Sequence, residues 1–313
     1  MVRYLARRLL SMIPVILGIS LAAFVLGLLT PGDPAVMALE RDGVSEITPQ
    51  LLEAKREELG LDQPGPVRYL NWAGDALTGN LGNSYSTGTP VSAELLRRLP
   101  VTLVLTGATM LLVCIFGISA GLLSAAFVNR TPDMMIRMAA NLLTAFPAFW
   151  LGVVLIMVFG EYLKVLPTNG IGGIRHLFLP SVTLASAGIA MTGRLMRSSM
   201  LEELGRPYLL AADAKGITRF RVLVCHAFPN AIIPVIALLG NYLGGIIGGS
   251  AIVETIFSLP GIGSYVLEAI HARDYPVIQG YVLFTGAVYV VIFLGIDLLC
   301  AWLDPRLRKG EAL

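Results

Sequence analysis

Charge is what this 313-residue sequence has little of. Asp, Glu, Lys and Arg make up 14% of it, against 55% hydrophobic residues and a mean hydropathy of +0.74. A chain so apolar has no surface to show water, which excludes a soluble globular protein and leaves a polytopic membrane protein. Enzyme signatures are missing as well. No Gly-x-x-x-x-Gly-Lys-Ser/Thr loop occurs, so the chain cannot cradle nucleotide phosphates in the Walker manner, and there is no His-Glu-x-x-His pair for zinc. His176, His226 and His271 fall far apart in the expected topology. Gly261 and Gly263 form a Gly-x-Gly without the strand and helix that would give it meaning. Cys114, Cys225 and Cys300 have no metal-ligand spacing and read as buried small hydrophobes. Intramembrane carboxylates are nearly absent too: Asp297 is the main one, two turns from the charged end Asp304-Pro305-Arg306, which favours a structural role. A secondary transporter driven by an ion gradient would need several paired charges and inverted repeats. It is the alternative from another class.

What is present is a series of apolar runs. The first, Leu9 to Leu29, follows Arg3, Arg7 and Arg8 and ends in Thr30-Pro31-Gly32-Asp33-Pro34. At about 21 residues with no small-residue cleavage site after it, it reads as a retained transmembrane helix rather than a signal peptide. Further spans are expected over Val101 to Val128, Ala139 to Phe159, Leu177 to Leu195, Ala231 to Ile252 and Val277 to Leu303; the fourth span of the six is the shortest and contains Pro180. The fold class is therefore all-α, with six transmembrane helices. Residues 31–100 differ in kind, holding ten of the 21 acidic residues, and are expected to form a small extracytoplasmic subdomain between helices 1 and 2. Within it Thr48 to Gly60 predicts a surface helix, with Thr48 as N-cap, Pro49 in the first turn and Gly60 as stop. The chain thus divides into a tail and first helix (1–30), the subdomain (31–100), a five-helix core (101–303) containing a loop at 196–230, and a tail (304–313).

Lys and Arg give the orientation. With both termini inside, the cytoplasmic pieces carry fourteen and the short outer loops three, Lys164, Arg175 and Arg273; the long first loop counts little in this rule. Tyr208 to Asn230 then faces the cytoplasm as a polar island between apolar spans. Tyr208 to Lys215 lacks β-branched residues and predicts a short helix, and Gly216 can end it. Ala211, Ala212, Ala214 and Gly216 give this helix a surface that a partner can approach closely, unlike a lipid-binding helix with large apolar side chains. A basic loop held by anionic lipid is the plainer reading. The fifth span carries Gly240, Gly244 and Gly248, with Gly245 and Gly249 beside them, a spacing that permits close helix packing. With Asn241 and Glu254 these glycines are candidates for a translocation path or a subunit interface. Glu254 is expected near the outer face.

The island resembles the cytoplasmic loop of bacterial ABC importer permeases, Glu-Ala-Ala, three residues, Gly, nine residues, Ile-x-Leu-Pro. Ala211, Ala212, Gly216 and Phe228-Pro229 match; Leu210 replaces the Glu and His226 the Ile. Ala212-x-Ala214-Lys215-Gly216, with His226 and Asn230 downstream, is similar to the dipeptide, oligopeptide and nickel branch. So are Pro31 to Pro34, Leu59 to Pro64, Phe146 to Gly152, Leu259 to Gly263 and Arg273 to Gln279. The resemblance implies an inner-membrane permease of a binding-protein-dependent importer. Tyr208, Ala211, Ala212, Ala214, Lys215, Gly216, His226, Pro229 and Asn230 would couple it to an ATPase. Its implied partners are a second homologous permease, two cytoplasmic ATPase subunits or domains holding ATP and Mg, an extracytoplasmic substrate-binding protein and membrane lipid. It implies no cofactor in this chain and no nucleic-acid partner. The implied substrate is a di- or oligopeptide, with nickel or a metal chelate as the alternative.

Overall fold

The computed structural model describes residues 2–29, 33–44, 46–209 and 216–303, and side chains from residue 10 to residue 300 within these. Among the described residues every regular element is a helix: α1 (Val2–Leu29), α2 (Pro34–Arg41), α3 (Pro49–Glu58), α4 (Gly65–Leu77), α5 (Val91–Ala126), α6 (Thr131–Ala145), α7 (Ala148–Tyr162), α8 (Ile174–Leu204), α9 (Arg219–Gly249), α10 (Ala251–Ile256), α11 (Ile262–His271) and α12 (Tyr275–Leu303). Five are long and apolar enough to cross a membrane, and α6 with α7 makes a sixth if the pair is one span. They fall into two compact units: Met1–Leu5, Leu103–Leu259 and Val291–Leu313 form one, Ala6–Thr102 and Pro260–Val290 the other.

The first unit is built around α8. Its buried positions are mostly small: Ser181, Thr183, Ala185, Ser186, Gly188, Ala190, Thr192 and Gly193. Small side chains let helices approach until dispersion contacts are made along the backbone, which is what holds helices together in lipid. At the crossing with α5, a Cβ on Gly121 would stand 2.4 Å from Met196 Cβ and 2.8 Å from the Gly193 carbonyl oxygen. At the crossing with α9, the Tyr242 hydroxyl donates to the Leu184 carbonyl (2.5 Å) and accepts from Gly188 N (3.1 Å). Pro180 does not interrupt α8. It lies within the first two turns of a 31-residue helix, so the fourth expected span is continuous.

The expected span Ala139 to Phe159 is corrected: it is two helices, bent by 98° between Ala145 and Ala148. Pro147 forces Phe146 out of the α region (φ −105°, ψ 139°), and the Phe146 ring stacks on Trp150 at 4.4 Å. The polar island is also shorter than the sequence suggests. α9 begins at Arg219 and passes through Pro229 and Pro234 without a break, so Arg219 to Asn230 are helical. Wide π turns lie in α5 (Val113–Gly117), α7 (Ile156–Tyr162) and α9 (Val222–Ala227).

In the second unit, the described residues between 33 and 102 fold together with Pro260–Val290 and with α1 from Ala6 onward. Thr48 Oγ1 accepts from Leu51 N (3.3 Å) at the start of α3, and Gly60 closes its end at φ +63°. Asp33 caps α2 and binds Arg56 of α3 (2.5 Å). Phe24, Tyr69 and Trp72 pack α4 on α1, with ring centroids 5.5–6.4 Å apart, and Ser20 Oγ meets the Tyr69 hydroxyl at 2.8 Å. Asp274, 1% exposed, receives Ser84 Oγ (2.6 Å), Ser86 Oγ (2.5 Å), Tyr85 N and Ser86 N (both 3.1 Å).

Candidate functional site

The corner joining α8 to α9 holds the expected coupling residues. Ala211, Ala212, Ala214 and Lys215 lie outside the described residues. Tyr208, Gly216, His226, Pro229 and Asn230 are described, and three of them meet around one carboxylate. Glu203, in the last turn of α8, is 7% exposed. It accepts from the Tyr208 hydroxyl and from Asn230 Nδ2 (3.2 Å), while Arg206 Nε sits 3.0 Å from its other oxygen. Asn230 also donates to the Tyr208 oxygen (2.9 Å), and the His226 carbonyl lies 3.4 Å from that hydroxyl. The π turn supplies this carbonyl: it widens the helix at residues 222–227 and leaves acceptors that a 3.6-residue helix would use internally.

Tyr208 is 45% exposed through its ring, yet its hydroxyl is inside the network. Burial first, and then the Glu203 carboxylate, push the phenol above its ordinary range. Leu209, 1% exposed, packs beside Met200, Val222, Ala227 and Ala231. The segment leaving α8 is therefore fastened by one apolar plug and one polar knot, one residue apart. Gly216 has φ +75° and open space around it; the conformation rather than crowding requires glycine there. Tyr208 and Asn230 thus bond to one another and to Glu203 within the chain.

A second knot braces the same end of α8. Asp133 in α6 is fully buried and takes Arg197 of α8 through two bonds (2.8 and 2.9 Å), with Ser124 Oγ (2.5 Å) and Asn129 N (3.0 Å) on the same carboxylate. Three helical elements meet at one ion pair. The sequence reading missed Asp133, although Thr131-Pro132-Asp133 is a helix start that a linker would not need. It also missed Phe220, 75% exposed between the exposed Arg219 and Arg221. An apolar ring flanked by two cations at the foot of α9 is a contact feature, and Arg-Phe-Arg was its signal.

The candidate path residues separate into two sets. Gly240 and Gly244 are buried in the packing of their own unit, where a Cβ on Gly240 would stand 2.2 Å from Ile296 Cδ1. Gly245, Gly248 and Gly249 are exposed, with nothing within 4 Å of an added Cβ, and so is Asn241. Residues four apart drift by about 40° per step on a 3.6-residue helix, and over the two steps from Gly240 to Gly248 the stripe passes from a buried to an exposed position. The open stripe runs instead through Pro234, Ala237, Asn241, Gly245 and Gly248. Glu254 departs from expectation: it is fully buried, accepting from Ser250 Oγ (2.8 Å) in α10, and is not presented to a substrate or partner.

Comparison with known proteins places this geometry. Residues 117–309 match the family described as binding-protein-dependent transport system inner membrane component, and residues 1–106 match its N-terminal region. The probable D,D-dipeptide transport system permease protein DdpB of Escherichia coli K12 is 35% identical over 98% of this chain and 97% of its own. The glutathione transport system permease protein GsiC of the same strain is 37% identical over 98% and 99%. Among solved structures, the inward-facing MetNI methionine ABC transporter superposes with a TM-score of 0.56 at 18% identity, over 67% of this chain and 96% of that one. An amino acid ABC transporter superposes at 0.51 and 18%, over 69% and 94%. At that identity the likeness is one of fold.

Proposed function

The chain belongs to the family of binding-protein-dependent transport inner membrane components, and from that premise we propose that it is one of two permease subunits of an ATP-driven importer of short peptides. The observation that carries the peptide reading is full-length similarity, at 35% and 37% identity, to permeases named for a dipeptide and for a tripeptide, glutathione. Nickel or a metal chelate is a family-level alternative that no group in the described residues favours.

The proposed partners follow from the chemistry the chain does not carry. With no phosphate-binding loop of its own, it depends on cytoplasmic ATPase subunits that hold ATP and Mg. They dock at the α8–α9 corner, where Phe220, Arg219 and Arg221 offer contact and residues 211–216 form the coupling segment. The two knots on α8 make that corner stiff, and a stiff lever transmits displacement of its end to the helix behind it. The open stripe on α9, Asn241, Gly245 and Gly248, faces the second permease or the path between the two. Both termini lie in the cytoplasm on the Lys and Arg count, which supports an extracytoplasmic position for the loop of residues 31–100, on the side of the substrate-binding protein.

The test is reconstitution. The chain is co-expressed with its neighbouring genes and purified, then placed in nanodiscs to assay ATP hydrolysis with and without the binding protein and in sealed proteoliposomes to assay dialanine uptake. Recovery of a second permease and ATPases, with hydrolysis stimulated by the loaded binding protein, is the expected result. Uptake by the lone chain along an ion gradient would overturn it.

A further inference from the structure

The second unit contains a polar cavity of about 580 Å³, within the size range of small-ligand sites. One face of α4 lines it with Arg68, Asn71, Trp72 and Asp75. These fall at i, i+3, i+4 and i+7, which stacks them along one side of the helix. Glu57 of α3 lines the cavity as well.

Two of these groups are donors without acceptors. The Trp72 indole N–H is buried and has no hydrogen-bond partner among the described residues. The Arg68 side chain is half-buried and carries no ion pair among them. Other cations of the cavity are already engaged, Lys55 by Glu58 (3.0 Å) and Arg41 by Asp42 (2.5 Å). Asp75 and Glu57 are the converse, carboxylates with no cation among the described residues. The Trp72 ring packs on Phe24 (6.1 Å) and Tyr69 (6.4 Å), and with its nitrogen buried it is the ring that lines the cavity.

We propose that this cavity is a binding site for a short zwitterionic peptide. Arg68 receives its carboxylate, the Trp72 ring packs against its backbone, and Asp75 and Glu57 receive the ammonium end. The span agrees. Seven residues of helix separate Arg68 from Asp75 by about 10 Å, and an extended peptide of two or three residues covers about 7–10 Å. The site itself rests on the residues of the cavity. The choice of a peptide over another zwitterion rests on the function proposed above.

The test uses the assembled importer in nanodiscs, without its binding protein, and calorimetric titration with dialanine, dialanine amide and N-acetyl-dialanine. Dialanine is expected to bind. The amide should bind at least tenfold more weakly, and Arg68→Met should weaken dialanine by a similar factor, with Arg68→Lys recovering part of it. Trp72→Ala, which removes the ring from the wall, should weaken it about threefold to tenfold. Equal affinity for the free acid and the amide would overturn the proposal whatever the variants do. So would absence of binding together with loss of binding-protein capture in Arg68→Met, which would make the cavity a protein contact. Dialanine uptake by the complete importer is measured in parallel. Uptake without binding at this site overturns the site and leaves the importer reading standing; binding without uptake does the reverse.

Discussion

Asp133 in one unit and Asp274 in the other are both withdrawn from water, at 0% and 1% exposure, yet their charges are met differently. Asp133 has a guanidinium, and its ligands come from α5, the turn before α6, and α8. Asp274 has no cation among the described residues. Two hydroxyls and two backbone N–H groups of a single loop, Ser84 to Ser86, surround it. The first arrangement fixes how helices pack; the second fixes the shape of one loop. Both are long-range in sequence, the ion pair joining residues 64 apart and the Asp274 bonds residues 188 to 190 apart; the difference is that three helical elements share the first and a single loop supplies the second.

That contrast can be broken at either end. Asp133→Ala should have the largest effect, because it leaves Arg197 inside the packing without its partner. A loss of roughly 3 kcal/mol is expected, read as a lowered unfolding midpoint of the whole complex. An unchanged midpoint would mean that the pair is dispensable to packing. Asp274→Asn should cost about 2 kcal/mol but act locally. Limited proteolysis should speed up within residues 80–90 while the unfolding midpoint hardly moves, and a global shift would erase the distinction.

Gly216→Val tests a backbone requirement at the corner rather than a charge. Strain of roughly 1–2 kcal/mol at φ +75° should leave insertion intact and abolish ATPase association and transport. Ala212→Asp is expected to do the same, and normal ATPase recovery in either variant would count against coupling through this segment. Tyr208→Phe should cost about 1 kcal/mol. Since the phenol is held above its ordinary value, its contribution is full below about pH 10 and is lost as pH rises through the raised value. The wild-type corner should therefore loosen in alkali, by a disulfide-trapping or labelling rate, and the Phe variant should lack that step. The smallest effect is expected of Asp297→Asn, with transport largely retained; its loss in an assembled complex would revive a proton-coupled mechanism.

Much of this molecule could be read in the sequence. Long apolar runs fix helix existence, and the cap at Thr48 and stop at Gly60 need only local rules. The bend at Phe146-Pro147 escaped because both sides are equally apolar, so hydropathy passes over it. α2, α4 and α11 escaped because they lie in segments dominated by turn formers and charge. The fastening at Glu203 was half legible: Tyr208 and Asn230 stood out as residue types, but only the fold shows that they face inward to a carboxylate. Asp133 and Arg197 are 64 residues apart, and no local pattern connects them.

The wide turns in α5, α7 and α9 have a mechanical consequence. Each accommodates a residue that the surrounding α-helix does not need, at the cost of a few rearranged backbone bonds. Pulling the end of a uniform helix strains every turn at once. A helix that carries such a surplus can hand it to the next turn, so that the stretch between the old and new positions turns by about 100° and shifts by about 1.5 Å while the rest keeps its register. In α9 that surplus lies directly behind Phe220, so the residues it can rotate are the ones next to the foot of the helix.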